Sequence, residues 1–320
     1  MKYAFGAYGT NNLGDEAIYE GLCQEIGPAI QIYVNKSSVP LSIWYADLLK
    51  GKISFDPDAE ELIIGGGGLF HSKNAIIDYI RMADLAIKNH MKVSIQGVGV
   101  EGINNSFQED ARELCKRCYF ISVRSKQSQL LLESLGFKST VRKDFAYNIQ
   151  SEESVMIPEF ENKLPIIGFI TGGCGDELAI SKLSQIIRKF TVGEDLCNFI
   201  HIPHSKSFVN YTNNDVVTGE LLWSNIDIYH ANRENSFKTY RFLNNPRQLL
   251  SLYQQLDGVI GARYHSFIFS EMAGKPLLGL VSGRKAKSYF EDRPQIQCID
   301  FDKDINEIIT KVKMFINFLR

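Results

Sequence analysis

Residues 2–26, KYAFGAYGTNNLGDEAIYEGLCQEI, decide the fold class of this chain. A short apolar run leads into the turn-rich GTNNLGD, and apolar residues at helical spacing follow. Strand, glycine-bearing loop and helix are the opening of a parallel βα unit. Moving outward, the pattern recurs. ELIIGGGGLF (61–70) precedes a helix near 75–90, KVSIQGVGV (92–100) a helix near 107–118, and YFISVRS (119–125) the stretch QSQLLLESLG. Apolar strands that end in glycine and feed amphipathic helices predict a doubly wound parallel sheet, covered on both faces.

A polar stretch with prolines and no period, QSEESVMIPEFENKLP from residue 150, interrupts the series. The alternation then restarts with PIIGFITGGCGDE and the helical LAISKLSQIIRKF. It continues through NFIHIPHS, PRQLLSLYQQL, GVIGARYHS, FIFSEMAG and KPLLGLV. Gly172–Glu177 (GGCGDE) echoes Asn11–Glu16 (NNLGDE), which supports two similar halves. The expectation is an α/β chain of two Rossmann-like domains, 1–155 and 160–320, facing across a cleft. The final helical stretch, DINEIITKVKMFINFL, either closes the second domain or packs back on the first.

The 320 residues, 44% apolar, suffice for two buried cores. With 35 basic and 37 acidic residues the formal charge is −2, which leaves no electrostatic footprint for nucleic acid. An acidic small substrate would need a locally basic cleft. MKYAFGAYGTNNLGDE has no signal-peptide pattern, and no apolar run approaches the ~20 residues of a membrane span. A soluble, cytoplasmic protein without an integral membrane segment is expected. The six cysteines suit reduced core thiols, and Cys115-x-x-Cys118, within a helical pattern, reads as structural.

Open α/β sheets bind ligands beyond the carboxyl ends of their strands, and three clusters lie there. In Asn11–Glu16, glycine permits a tight turn, and Asn12 and Asp15 stand at a helix start. Asp15 and Glu16 suit either helix capping or contact with sugar hydroxyls. Gly65–Gly68 would let a ligand approach the backbone, with Gly67 and Gly68 as phosphate or sugar contacts, or would serve a tight strand–helix crossing. Neither a dinucleotide fingerprint nor a P-loop is present. The third, Gly261–Ser266 (GARYHS), offers the planar, permanently charged fork of Arg263 and the titratable His265 together. Arg124 closes another strand and is expected to face Arg263 across the cleft. His201-x-x-His204, with Asp215 downstream, suggests a metal, but no third ligand is evident. No metal is therefore expected, and His204 is taken as a cleft residue.

These residues resemble the polysaccharide pyruvyl transferase family. The resemblance rests on Asn12-x-Gly14-Asp15-Glu16, Gly65–Leu69, Val123-Arg124 with Ser128 and Leu131, Asp144-x-Ala146 and GARYHSFIFSEMAGKP (261–276), in order along most of the chain. It implies a glycosyltransferase-B-like pair of domains and transfer of pyruvate from phosphoenolpyruvate to a sugar as a ketal. No cofactor is implied beyond phosphoenolpyruvate as donor. The acceptor implied is a cell-surface polysaccharide or its precursor, lipid-linked or nucleotide-linked. By position, Arg124 and Arg263 would hold donor carboxylate and phosphate, with Tyr264 and Ser266 beside them. His265 would be the acid/base residue, and Lys285 would meet phosphate. Ser125, where members commonly carry aspartate, and Phe145, within Asp-Pro-Ala, depart from the pattern. The alternatives are a nucleotide-sugar glycosyltransferase of the same architecture and a non-catalytic carbohydrate-binding relative.

Overall fold

The computed structural model describes residues 1–33, 42–152, 155–172, 177–206, 213–227 and 236–320. Cys174 and the centre of the Gly172–Glu177 echo lie outside the described residues. Contacts divide the chain into a first unit (1–10 and 15–149) and a second (11–14 and 150–320).

In the first unit the strands are β1 (Lys2–Phe5), β2 (Ala29–Tyr33), β3 (Ser42–Trp44), β4 (Glu61–Gly67), β5 (Lys92–Val98), β6 (Phe120–Val123) and β7 (Thr140–Val141). Its helices are α1 (Leu13–Ile26), α2 (Tyr45–Leu49), α3 (Lys73–Lys88), α4 (Gln108–Lys116) and α5 (Lys126–Ser134). Among the described residues they form one seven-stranded sheet in the order β3-β2-β1-β4-β5-β6-β7, with parallel pairings throughout.

In the second unit the strands are β8 (Ile166–Ile170), β9 (Asn198–His201), β10 (Phe237–Thr239), β11 (Gly258–Gly261), β12 (Leu277–Val281) and β13 (Gln297–Asp300). The helices are α6 (Glu177–Arg188), α7 (Asp215–Asp227), α8 (Pro246–Tyr253), α9 (Tyr264–Met272), α10 (Gly283–Glu291) and α11 (Ile305–Leu319). The described strands pair in parallel in the order β10-β9-β8-β11-β12-β13.

Both sheets thus run outward in two directions from their first strand, the Rossmann order. The expected α/β class with two Rossmann-like units is what the chain forms. Central strands are buried along their whole length: every residue of β4 (ELIIGGG) and β12 (LLGLV) is buried, as helices on both faces require. Each unit has its own core, one gathered around Phe5, Ile64 and Ile95, the other around Phe169, Ile260 and Phe315. Of the two places considered for the last helix, α11 is seen in the second core, through Ile308, Val312, Phe315 and Ile316.

Where the strand order reverses, a crevice opens beyond the carboxyl ends, between β1 and β4 in the first unit and between β8 and β11 in the second. Both bear the clusters singled out above.

Candidate active site

In the second unit β11 ends at Gly261, and Ala262 adds one more rung by donating to the Ile170 carbonyl (2.8 Å). Arg263 is the N-cap of α9, so its side chain leaves the chain at the reversal point. Gly172, at φ +51°, lets it pass: a Cβ there would stand 2.8 Å from Arg263 Cγ.

Asp215, the first residue of α7, holds Arg263 in place. Arg263 Nε donates to Asp215 Oδ2 (2.7 Å) and Nη2 to Oδ1 (2.5 Å), while Nη2 also reaches Asn213 Oδ1 (2.9 Å). The backbone N–H groups of His204 and Ser205 donate to Oδ2 as well, at 2.9 and 3.0 Å. Burial opposes the charge on Asp215, but Arg263 and the Ser205 amide outweigh it and hold the carboxyl below its ordinary pKa. Sequence reasoning weighed Asp215 only as a metal partner. Its acidic residue at a helix start was the sole local signal, and nothing in the sequence pairs it with Arg263.

His265 sits in the first turn of α9, buried, its ring 5.7 Å from that of Tyr264. Gly14 lies directly against it, and a Cβ at Gly14 would overlap the imidazole. Gly14 arrives there on a short antiparallel pairing. Leu13 N donates to the His204 carbonyl (2.8 Å), Asn12 bridges Ser205, and Lys206 N donates to the Asn11 carbonyl (2.9 Å). Asn12 Oδ1 accepts from Gly14 N (3.1 Å), so this side chain, expected at the ligand, shapes the turn.

Two expectations need correction. His204, read as a cleft residue, is fully buried between Tyr253 and Phe269, with Nε2 2.8 Å from the Tyr253 hydroxyl. Burial drives its pKa down to about 3, so the ring is neutral and belongs to the core, while its backbone meets the site. Ser266 is fully buried too and donates to the Arg263 carbonyl (2.5 Å), which commits its hydroxyl to the turn rather than to a ligand. His201 behaves like His204: it is buried beside Thr171 Oγ1 (3.2 Å), and burial lowers its pKa to about 4. Tyr264 is half-buried against Tyr289 (ring centroids 5.6 Å apart). Lys285 falls within α10, and its side chain lies outside the described residues.

In the first unit the glycine run largely serves packing. A Cβ at Gly66, φ +70°, would run into Ile18 of α1, and one at Gly6 would stand 2.7 Å from the Gly65 carbonyl. The crossing of α1 over β4 therefore accounts for Gly66, while a Cβ at Gly65 would stand 3.1 Å from the Gln96 carbonyl of β5. Gly67 and Gly68 carry the run to the edge, where Asp15 Oδ1 is 3.5 Å from the Cβ position of Gly67. Next to it Glu16 accepts from Gly9 N (2.7 Å). Burial raises the Glu16 carboxyl to about 7, a shift that the Gly9 and Thr10 amides only partly oppose.

Arg124, at the end of β6, is enclosed. Its Nη1 is 3.4 Å from Asp144 Oδ2 and its Nη2 4.0 Å from Glu101 Oε2. Glu101 accepts from Ser125 and Ser128, each at 3.0 Å. Burial favours a neutral Glu101, but the Arg124 charge and these hydrogen bonds keep its pKa low. Ser125 also caps α5 through Ser128 N, and a carboxylate stands beside Arg124 although residue 125 is serine. Cys115 and Cys118 have pKa values raised by burial, Cys115 to about 12, opposite to an activated thiol pair.

Fold and site together define an α/β protein of two Rossmann-like units with an arginine–histidine turn at the second reversal point. The chain belongs to the polysaccharide pyruvyl transferase family, whose model matches residues 12–283. Among curated proteins no sequence matches it. Solved structures share its fold at low identity. A Listeria monocytogenes protein assigned as a UDP-N-acetylglucosamine 2-epimerase superposes with a TM-score of 0.68 at 11% identity, over 99% of this chain and 88% of that one. MnaA of S. aureus, solved with UDP, gives 0.63 at 10% identity over 98% and 87%. The UDP-GlcNAc 2-epimerase of Methanocaldococcus jannaschii gives 0.59 at 10% over 99% and 93%. These neighbours bear out the glycosyltransferase-B-like class expected for the chain.

Proposed function

We propose that this protein transfers the pyruvyl group of phosphoenolpyruvate to two hydroxyls of a sugar, forming a cyclic ketal and releasing phosphate. Family membership supports the reaction class. The observation that carries the site is Arg263, clamped at the β8/β11 reversal point, with His265 two residues on under the Gly14 backbone.

In this reading the His265 imidazolium protonates the methylene carbon of the donor, leaving an oxocarbenium-like centre at C2. A sugar hydroxyl attacks C2 and returns its proton to the imidazole. The C2–O bond to phosphate then breaks, phosphate keeping the electron pair, and the second hydroxyl closes the ring and gives its proton to the leaving phosphate. Arg263 neutralises charge on the donor anion, the kind of preorganised stabilisation that dominates many such sites. Arg124, enclosed by Asp144 and Glu101, holds the β6 edge rather than the donor directly. No cofactor enters this scheme. The acceptor is a sugar of a surface polysaccharide or its lipid-linked or nucleotide-linked precursor. We place the reaction in the cytoplasm, at the membrane face when the acceptor is lipid-linked. No described helix is long and apolar enough to cross a membrane.

The test is calorimetric titration with phosphoenolpyruvate and with a panel of UDP-sugars, on wild type and Arg263→Ala. Binding of phosphoenolpyruvate that is lost in the variant is the expected result. Binding of UDP-sugars alone would overturn the reading in favour of a nucleotide-sugar enzyme on the same fold.

A further inference from the structure

We infer that Asp215 is the positioning residue of this site, one carboxylate that sets both Arg263 and the loop covering His265. The inference rests on the reading of Arg263 and His265 as the donor-binding and acid/base groups.

The geometry is convergent. Oδ2 takes three donors, Arg263 Nε and the amides of His204 and Ser205, and Oδ1 takes Arg263 Nη2. Asp215 N donates back to the Ser205 carbonyl (2.8 Å), closing a ring between the start of α7 and residues 204–205. On those same residues the Asn11–Gly14 segment is paired, through the His204 carbonyl and the Asn12–Ser205 bridge. Gly14 in turn lies on the His265 ring. Arg263 at one end and the cover of His265 at the other are thus referred to a single buried group.

Two physical consequences follow. A buried carboxylate at a helix N-terminus, meeting four donors, stays ionised, so the clamp persists across the neutral range. Arg263 is ordered before any ligand arrives, which removes the entropy cost of fixing a long side chain on binding. The bonds to Asp215 and Asn213 fix Nε and Nη2 of the guanidinium.

Asp215→Asn tests the inference, because asparagine keeps the shape and one acceptor but removes the charge and turns an NH₂ group toward a donor. Amide hydrogen exchange on the full chain should show faster exchange at Leu13 and at 204–206, with the strands of both sheets unchanged. In the same variant kcat with phosphoenolpyruvate should fall by about 10²-fold, the scale on which small misplacements act. Asp215→Glu, which restores the charge on a longer arm, should recover part of it. Unchanged exchange at 11–14 and 204–206 would overturn the inference. So would equal losses in the Asn and Glu variants, or global loss of protection in both. Should wild type prove inert toward phosphoenolpyruvate, the proposed reaction falls, while the exchange measurement still decides whether Asp215 sets this loop.

Discussion

At the residue scale the site depends on a contact that only the smallest side chain permits. Gly14 presses its backbone on the His265 ring, so an added methyl must displace either the imidazole or the start of α1. His265→Ala should lower turnover by about 10²–10⁴-fold with the fold intact, as loss of a general acid/base does. Gly14→Ala should approach the same loss while leaving the imidazole in the chain. In steady-state assays, full turnover of His265→Ala would remove His265 from the chemistry, and full turnover of Gly14→Ala would show that the Gly14 contact does not set it. Glu16 makes a different residue-scale prediction. Its folded pKa, about 7, lies above the value of 4.5 for an exposed carboxyl. The protonated form is favoured in the fold, so its stabilising contribution is complete below about pH 4.5 and is lost as pH rises through about 7. Relative to Glu16→Gln, wild type should therefore lose up to about 3 kcal/mol between pH 4.5 and pH 8. Denaturant unfolding at both pH values reads this difference, and a constant gap between the two proteins would contradict a buried, titrating Glu16.

At the scale of elements, periodicity decided what could be read. The strongly amphipathic α3, α6, α8 and α11 and the fully buried β4 and β12 were all legible in the sequence. Missing from that reading were β2 (AIQIY), β3 (SIW), β10 (FKT) and β13 (QCID), all in the outer strands of their sheets and too short to show a period. So was α7, whose DVVTGELLWSNID places apolar residues around the axis and includes a glycine. Gly219 is there because α7 passes close over the His201 ring, where a Cβ would stand 2.6 Å from Nδ1. The last helix is the element whose packing is most open to test. Phe315 is buried in the second core, and its ring lies against the β11 residue Gly258, 3.1 Å from the Cβ position there. Phe315→Ala should cost about 3–5 kcal/mol in equilibrium unfolding, the usual range for a buried phenylalanine. A cost near zero would mean that α11 does not close this core.

At the scale of the whole molecule, the two sheets repeat one topology, and in each the informative residues stand at the reversal of strand order. Their placement just after strands was visible in the sequence, though the strand order was not, because strand ends, glycine turns and helix starts are local signals carried by neighbouring residues. The same locality explains why Arg263, His265, Gly14 and Arg124 could be picked out, whereas the partners of each could not. Asp215 lies 48 residues before Arg263, and Gly14 about 250 before His265. The register of β8 against β11, Ile170 opposite Gly261, and the pairing of Asn12 with Ser205 bring them together. Arg124 was chosen as an anion ligand for its charge, its place at a strand end and its match to the family motif; the fold surrounds it with Asp144 and Glu101. His204 was chosen for its chemistry, and the fold buries its ring among aromatics. The sequence by itself determined the α/β class, the doubled Rossmann pattern, the family and the turn that carries arginine and histidine, since each is written in spacing along the chain. Tertiary structure alone decided which of those side chains are exposed, which are neutralised and which are held, because burial and charge pairing arise between residues that only the folded sheets make neighbours.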